Sequence, residues 1–299
     1  MRTVKEHEFT TYPRRFNTYK WYKPLVTGVL FLVFMLIASL AVDLISKAVF
    51  GSVVTDTGYD DMDLFTAAGA FSNGAKAAIF VPCLILAALI VKDRPVSSYF
   101  SSMGGWRWKV FLKTLAASFV ILGIPTIIKL LAQGRTGGVL FTVGGIIILT
   151  LFIPLQGIGE EIIFRSYLIQ TVSSWFILPA AGIIFQILLF AAVHPYNIIG
   201  VVEIAVSALI YALVAVYSRG IEAASALHII NNMSEIYMAG FGFGKITAEQ
   251  TVPSVIFNVG LKILVFLFIL YASKKLHWFD EVQKDDVTEF NAKHQKHEA

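Results

Sequence analysis

Residues 138–165 read GVLFTVGGIIILTLFIPLQGIGEEIIFR. The part before Glu160 carries no charge and is long enough to cross a hydrocarbon core, which takes roughly 20 helical residues. Two adjacent carboxylates follow, Glu160 and Glu161, and Arg165 comes four residues after the second. Ionisable groups at membrane depth are costly, so they are usually paired, functional or both. The stretch therefore predicts a membrane-spanning helix that carries a functional site.

The composition predicts that the whole chain is membrane-embedded. Of its 299 residues, 57% are hydrophobic and 15% are charged, and the mean hydropathy is +0.72. Soluble domains are nearer a quarter charged. Apolar segments lie near 25–45, 75–91, 110–131, 138–160, 175–194, 198–217, 221–240 and 253–273. We expect an all-α, polytopic membrane bundle of about eight transmembrane helices, with seven or nine as alternatives.

Charge placement predicts the orientation. The loop after the first segment is acidic and has no basic residue between Gly51 and Asn73, whereas the loop after the second is basic. The acidic loop holds Asp56, Asp60, Asp61 and Asp63, and the basic one holds Lys92, Arg94, Arg107 and Lys109. Positive charge on alternate loops places both termini in the cytoplasm. The same placement explains the net charge of +4 without nucleic acid as a partner.

The predicted domain limits follow from the apolar segments. Residues 1–24 form a basic cytoplasmic segment without a signal-peptide pattern, 25–273 the transmembrane domain, and 274–299 a polar, solvated cytoplasmic tail. The single cysteine, Cys83, excludes an intramolecular disulfide. Without an organellar targeting segment, the chain is expected to be a multi-pass protein of a bacterial plasma membrane.

Helical spacing separates the roles of the two adjacent glutamates. Residues four apart share a helix face, so Glu161 can pair with Arg165, while Glu160 points elsewhere. A carboxylate without a local partner, set among apolar side chains, suits a general base. The alternative is that Glu160, Glu161 and Arg165 form a solvated anchor at a helix end.

Two further polar points occur in apolar segments. The ring of Phe190 can pack beside His194, four residues later, and His228 and Asn232 share one face of another helix. His228 and Asn232 can both donate hydrogen bonds to an oxyanion, or they can hold helices together. His194 can instead be an interfacial histidine. Because no serine or cysteine lies beside an evident base, the combination favours water as the nucleophile.

The three patterns resemble those of a known family. Glu-Glu-x-x-x-Arg, Phe-x-x-x-His and His-x-x-x-Asn, in this order, are similar to the motifs of the CAAX protease and bacteriocin-processing (CPBP, or Abi) family. Its members are glutamate-dependent intramembrane endopeptidases with an eight-helix bundle, and some are associated with bacteriocin immunity. The resemblance covers about 150–240. Ser166 departs from the pattern, since many relatives have glycine there.

The resemblance implies a role for each motif residue. Glu160 and His194 would activate water, and His228 and Asn232 would stabilise the tetrahedral oxyanion. Glu161, Arg165 and Phe190 would support the site. The implied partners are the lipid bilayer and a membrane-associated peptide or protein substrate.

The alternatives concern metal and function. No cofactor is expected, although Glu160, His194 and His228 are possible zinc ligands; the HExxH signature of many zinc proteases is absent. A non-catalytic immunity or peptide-binding protein of the same family is a second hypothesis. A proton-coupled transporter is a third, with less support because paired half-repeats are not evident.

The predicted span ends create a geometric requirement. Glu160 and His194 meet only if the fourth helix continues past Arg165 to about Thr171 and turns near Ser173-Ser174. Even then His194 would lie deeper than Glu160, so a kink or tilt is expected. We further expect a water-filled cavity that opens to the cytoplasmic side. Glu203 is assigned no role.

Overall fold

The computed structural model describes residues 8–51 and 63–295, which form helices and no strands. The principal helices are α1 (Lys23–Phe50), α2 (Ala67–Val91, broken at Ile79), α3 (Trp108–Gln133), α4 (Val143–Phe176), α5 (Pro179–Ala192), α6 (Ile198–Ser218), α7 (Glu222–Gly240), α8 (Val252–Lys275) and α9 (Asp286–Gln295). Of the predicted loop acids, Asp56, Asp60 and Asp61 lie outside the described residues.

The all-α membrane architecture is confirmed. Within the described residues, six helices are long and apolar enough to span a membrane: α1, α2, α3, α4, α6 and α8. α5 is a shorter apolar helix, and α7 carries several polar side chains along its length. Each of the eight predicted segments thus corresponds to one of α1–α8, and the chain is an integral, multi-pass membrane protein.

α4 lies at the centre of the bundle, where it packs against α2, α5 and α7. Its approach to α7 depends on Gly157, because a methyl group there would lie only 2.7 Å from Cγ1 of Ile229. This close contact brings the acidic pair of α4 beside His228, which directly precedes Ile229 on α7.

Both described chain ends lie at the same end of the bundle. The backbone N–H of Asn17 donates to Oδ1 of Asn291 at 2.9 Å, and Nδ2 of Asn291 donates to the carbonyl of Arg15 at 3.0 Å. The tail is expected to be solvated, but two of its side chains, Phe279 and Asp286, are buried. Phe279 is part of the main hydrophobic core of the bundle. Which compartment this end faces stays a prediction.

A buried ion pair fastens that end. Nε and Nη2 of Arg107 donate to the two carboxylate oxygens of Glu222 at 2.9 and 3.0 Å. Arg107 also donates to the carbonyls of Ser218 (2.6 Å) and Phe279 (3.3 Å). One arginine therefore joins α3, α6, α7 and the tail, and we call this arrangement the Arg107 clamp.

Candidate active site

The length of α4 sets the depth of the site. The helix continues past Arg165, as predicted, but it turns at Ile177, later than Ser173-Ser174. Glu160 lies 17 residues before Ile177 (177 − 160) and His194 lies 17 residues after it (194 − 177). The two side chains lie on neighbouring helices joined at Ile177, and both line one cavity. The expected kink or tilt stays a prediction.

The regular helix is interrupted directly after the acidic pair. Residues Ile162–Leu168 form a π-helical turn within α4. Such turns are rare and occur often at functional sites. Nearly every side chain from Glu161 to Ser174 is buried, Leu168 being the exception. This half of α4 consequently fills the bundle between the site and the end that holds the Arg107 clamp.

Glu161 pairs with Arg165 and also with α7. Nη1 of Arg165 lies 3.2 Å from Oε1 of Glu161, and both side chains are fully buried, so the predicted ion pair is present. Nδ1 of His228 lies 2.8 Å from the same oxygen. Because a carboxylate only accepts hydrogen bonds, Nδ1 carries the proton. Arg165, Glu161 and His228 thus form a triad, which fixes the imidazole of His228.

Aromatic rings surround the Arg165 guanidinium. It lies 4.2 Å from the ring centre of Phe190 and 5.2 Å from that of Tyr211. The Tyr211 ring also stacks on His228, at 5.1 Å between centres. Phe190 packs against His194 at 4.4 Å, as its spacing predicts. These rings keep the imidazoles and the guanidinium in fixed planes.

Glu160 has a different environment from its neighbour. Its Oε1 accepts a hydrogen bond from Nε2 of Gln156 at 3.1 Å. Its Oε2 lies 3.8 Å from Nε2 of His228, beyond hydrogen-bond range, and its side chain is 12% exposed. The two glutamates therefore flank one imidazole, and only Glu160 faces the cavity described below.

His194 lies just past the end of α5. Its Nδ1 donates to the carbonyl of Phe190 at 2.6 Å, and its ring stacks on Tyr196 at 6.1 Å. A carbonyl cannot donate, so Nδ1 holds the proton and Nε2 of the neutral ring is free to accept one. His194 also lines the cavity.

The amide of Asn232 is oriented by its neighbour on α7. Nδ2 of Asn231 donates to Oδ1 of Asn232 at 3.2 Å. The amide N–H groups of Asn232 are therefore left to donate elsewhere. Both residues line the cavity, one helical turn from His228.

One cavity of about 510 Å³ joins these groups. Its wall includes Glu160, Phe190, His194, Tyr211, His228, Asn231 and Asn232. Its loop residues are Leu64, Tyr196, Lys245, Ile246, Thr247 and Gln250, all from connections at the bundle end opposite the Arg107 clamp. The expected opening of the cavity to the cytoplasmic side stays a prediction.

The two ends of the bundle are held by different contacts. The connection after α7 is held inward, since Asn197 Nδ2 donates to Glu249 Oε2 at 2.9 Å and to the Gln250 carbonyl at 3.0 Å. At the other end, the buried half of α4 closes the bundle.

Several residues that line the cavity are not among those predicted from the sequence. Glu203 pairs with Lys262, with Nζ 3.2 Å from Oε1, and Nζ also contacts Oγ of Ser207 at 3.0 Å. Lys262 lies in the middle of an apolar helix, and a lysine in such a position indicates a polar site in the bundle. Gln156 could also have been recognised from the sequence, because it lies four residues before Glu160. Tyr211 and Asn231 had no comparable signal.

Among the described residues, no group of three His, Cys, Asp or Glu side chains is arranged to hold a metal ion. The zinc alternative and the expectation of no cofactor stay untested.

Comparison with known proteins gives one match. Residues 141–234, about a third of the chain, match the family model described as type II CAAX prenyl endopeptidase Rce1-like. No curated protein matches the chain, and no solved structure does. The matched stretch contains the three motifs from Glu160 to Asn232. Residues 141–234 are thus similar to the type II CAAX prenyl endopeptidases, which are members of the CPBP (Abi) family.

Proposed function

We propose that the protein is a glutamate-dependent intramembrane endopeptidase that hydrolyses a peptide bond of a membrane-associated substrate. The observation that carries the proposal is that Glu160 and His194, from two different parts of the chain, line one cavity. Glu160 has no partner on its Oε2 within hydrogen-bond range among the described residues, whereas Glu161 is held in a triad.

In this mechanism the nucleophile is a water molecule held between Glu160 and His194. Gln156 fixes one carboxylate oxygen of Glu160, and the other accepts a proton from the water. Nε2 of His194 accepts the second hydrogen of the water as a hydrogen bond, since its Nδ1 already donates to a carbonyl. The water oxygen then forms a bond to the carbonyl carbon.

The resulting oxyanion needs donors on α7. Nδ2 of Asn232 supplies one, because its Oδ1 is already engaged by Asn231. Nε2 of His228 supplies the second when the ring is an imidazolium. Preorganised donors of this kind are usually a large part of the rate enhancement.

The reaction closes with collapse of the tetrahedral intermediate. The C–N bond breaks, and the proton that Glu160 accepted passes to the leaving nitrogen. Glu160 returns to its carboxylate form, and the products are a carboxylic acid and an amine, between which a proton passes to give a carboxylate and an ammonium group. Arg165 takes no proton and serves to hold Glu161, which in turn orients His228.

The test is cleavage in proteoliposomes. Purified protein and a library of membrane-anchored peptides are incubated and the products identified by mass spectrometry. We expect cleavage by the wild type and its loss in Glu160→Ala and His194→Ala. Glu281→Gln, an exposed acid at the other end of the bundle, is the matched control. Undiminished cleavage by either site variant would show that the assigned mechanism is wrong.

The same assay separates two alternatives. One outcome is that the wild type cleaves no peptide, while Glu160→Gln binds peptides and acts in cells as the wild type does. In that case the protein is a peptide-binding or immunity protein. If activity requires stoichiometric zinc and is lost with a chelator, the metal-free mechanism is replaced by metal-assisted hydrolysis.

A further inference from the structure

A second polar group lies in the same cavity, away from the motif residues. It comprises Glu203 and Ser207 on α6, Glu235 on α7 and Lys262 on α8. Lys262 is 2% exposed, and it uses two of its three N–H donors on Glu203 and Ser207. The charges of Glu203 and Lys262 therefore neutralise each other.

Glu235 is different because its charge is not neutralised. Its described partner is an amide, Nδ2 of Asn258, at 3.4 Å from Oε1. Among the described residues no cationic side chain lies within ion-pair distance of it, although the pair Glu203–Lys262 is close by. Glu235 is exposed, so its carboxylate is open to the cavity and available to a bound cation.

Glu235 shares the cavity-facing stripe of α7 with the candidate oxyanion donors. His228, Asn232 and Glu235 are spaced by four and three residues, which places them on one helix face. Seven residues of helix separate His228 from Glu235 by about 10 Å at 1.5 Å per residue. An extended peptide rises about 3.3 Å per residue, so this distance corresponds to about three peptide residues.

The surroundings of Glu235 have room for a long side chain. Glu235 and Asn258 line both the main cavity and a neighbouring cavity of about 510 Å³. Lys245 lines both cavities, and Lys129 lines only the neighbouring one. A lysine or arginine side chain suits this carboxylate in both length and charge.

We propose that Glu235 determines substrate specificity by binding a basic side chain about three residues from the scissile bond. This inference rests on the proposed protease function. Glu235 acts on substrate choice and takes no part in the chemistry at the peptide bond. The chemical class recognised is an ammonium or guanidinium group on a peptide held in extended form along α7.

The experiment measures how charge in the peptide changes its cleavage. Membrane-anchored peptides are made identical except for Lys, Gln or Glu at positions two to four residues from the bond that is cleaved. For the wild type we expect kcat/KM to be about tenfold higher for the best Lys peptide than for its Glu counterpart. Glu235→Lys should invert that preference, and the isosteric Glu235→Gln should abolish it. Glu281→Lys, which makes the same charge change far from the cavity, should leave it intact.

The outcomes separate the inference from the proposed function. A Lys preference that persists unchanged in Glu235→Lys would overturn the inference while leaving the protease intact. If no Glu160-dependent cleavage occurs, the proposed function fails, and the charge preference is then measured as peptide binding to the Glu160→Gln protein by fluorescence anisotropy. Equal binding of Lys and Glu peptides there would overturn the inference as well.

Discussion

Glu222 and Glu160 are both glutamates in helices of the bundle, but their surroundings differ. Glu222 is fully buried, and both of its oxygens accept from Arg107 at 2.9–3.0 Å in the clamp. Glu160 accepts from one amide and faces a cavity. A buried charge whose bonds are all made serves stability, because removing one partner leaves the other uncompensated. A charge with an unused oxygen beside a cavity is available for chemistry.

Glu161 lies between these extremes, and its replacement should have the largest effect. It is fully buried, with Arg165 and His228 both bound to one oxygen. Glu161→Gln leaves the guanidinium unpaired, so we expect a loss of about 3–5 kcal/mol in the free energy of unfolding. Cleavage should also fall, because His228 loses its orienting acceptor. Denaturant unfolding in detergent and the peptide assay measure the two effects, and a change in only one of them would contradict the triad.

The Arg107 clamp should affect stability alone. Arg107→Met strands the buried Glu222 carboxylate, and we expect about 3 kcal/mol of lost stability. Lys109→Met is the matched control, because the Lys109–Glu281 pair is exposed and 3.5 Å long, and its loss should change stability by less than about 0.5 kcal/mol. Equal losses of stability in the two variants would mean that the Arg107 clamp stabilises the fold no more than an exposed ion pair does.

Asn232 should affect the reaction and leave the fold intact. Asn232→Ala removes a proposed oxyanion donor, and the expected fall in kcat is about 10²-fold. Asn231→Ala removes only the group that orients it, so a smaller fall is expected. Thermal unfolding should stay close to that of the wild type in both. A larger loss for Asn231 than for Asn232 would reverse the assigned roles.

The smallest effect is expected in the docked tail. Burial raises the pKa of Asp286 above its ordinary value of 3.8, so the folded form binds a proton more tightly than the unfolded form. Its contribution is therefore fully present below the unfolded pKa and is lost as the pH rises through the folded pKa. At neutral pH, Asp286→Asn should raise the melting temperature by about 2 °C.

Asp285 is the control for that prediction. Hydrogen bonds from Thr288 lower the pKa of Asp285, so its contribution has the opposite sign and is lost as the pH falls. Asp285→Asn should therefore give no stabilisation at neutral pH. Stabilisation by both substitutions would point to a general effect of negative charge at this end of the bundle.

The sequence predicted those contacts that lie within one helix. Glu161 with Arg165 and Phe190 with His194 are each four residues apart, and both contacts are present. Hydrophobic runs likewise predicted the positions of α1–α8, of which six in the described part of the chain are long and apolar enough to span a membrane.

Contacts between distant helices could not be predicted in this way. Lys262 and Glu203 are 59 residues apart, and no local period relates them. The turn after α4 was misplaced because Ile177 adopts a left-handed conformation (φ 53°), for which glycine or asparagine is the usual signal. The contacts of Asn197 with Glu249 and Gln250 likewise join residues some 50 positions apart.

The most direct test of the central claim compares Glu160→Gln with Glu222→Gln in one experiment. Cleavage per folded molecule and melting temperature are measured for both variants and the wild type. Glu160→Gln should lower cleavage about 10³-fold with an unchanged melting temperature, and Glu222→Gln should lower the melting temperature while its folded fraction still cleaves. Cleavage by Glu160→Gln at the wild-type rate would contradict the account.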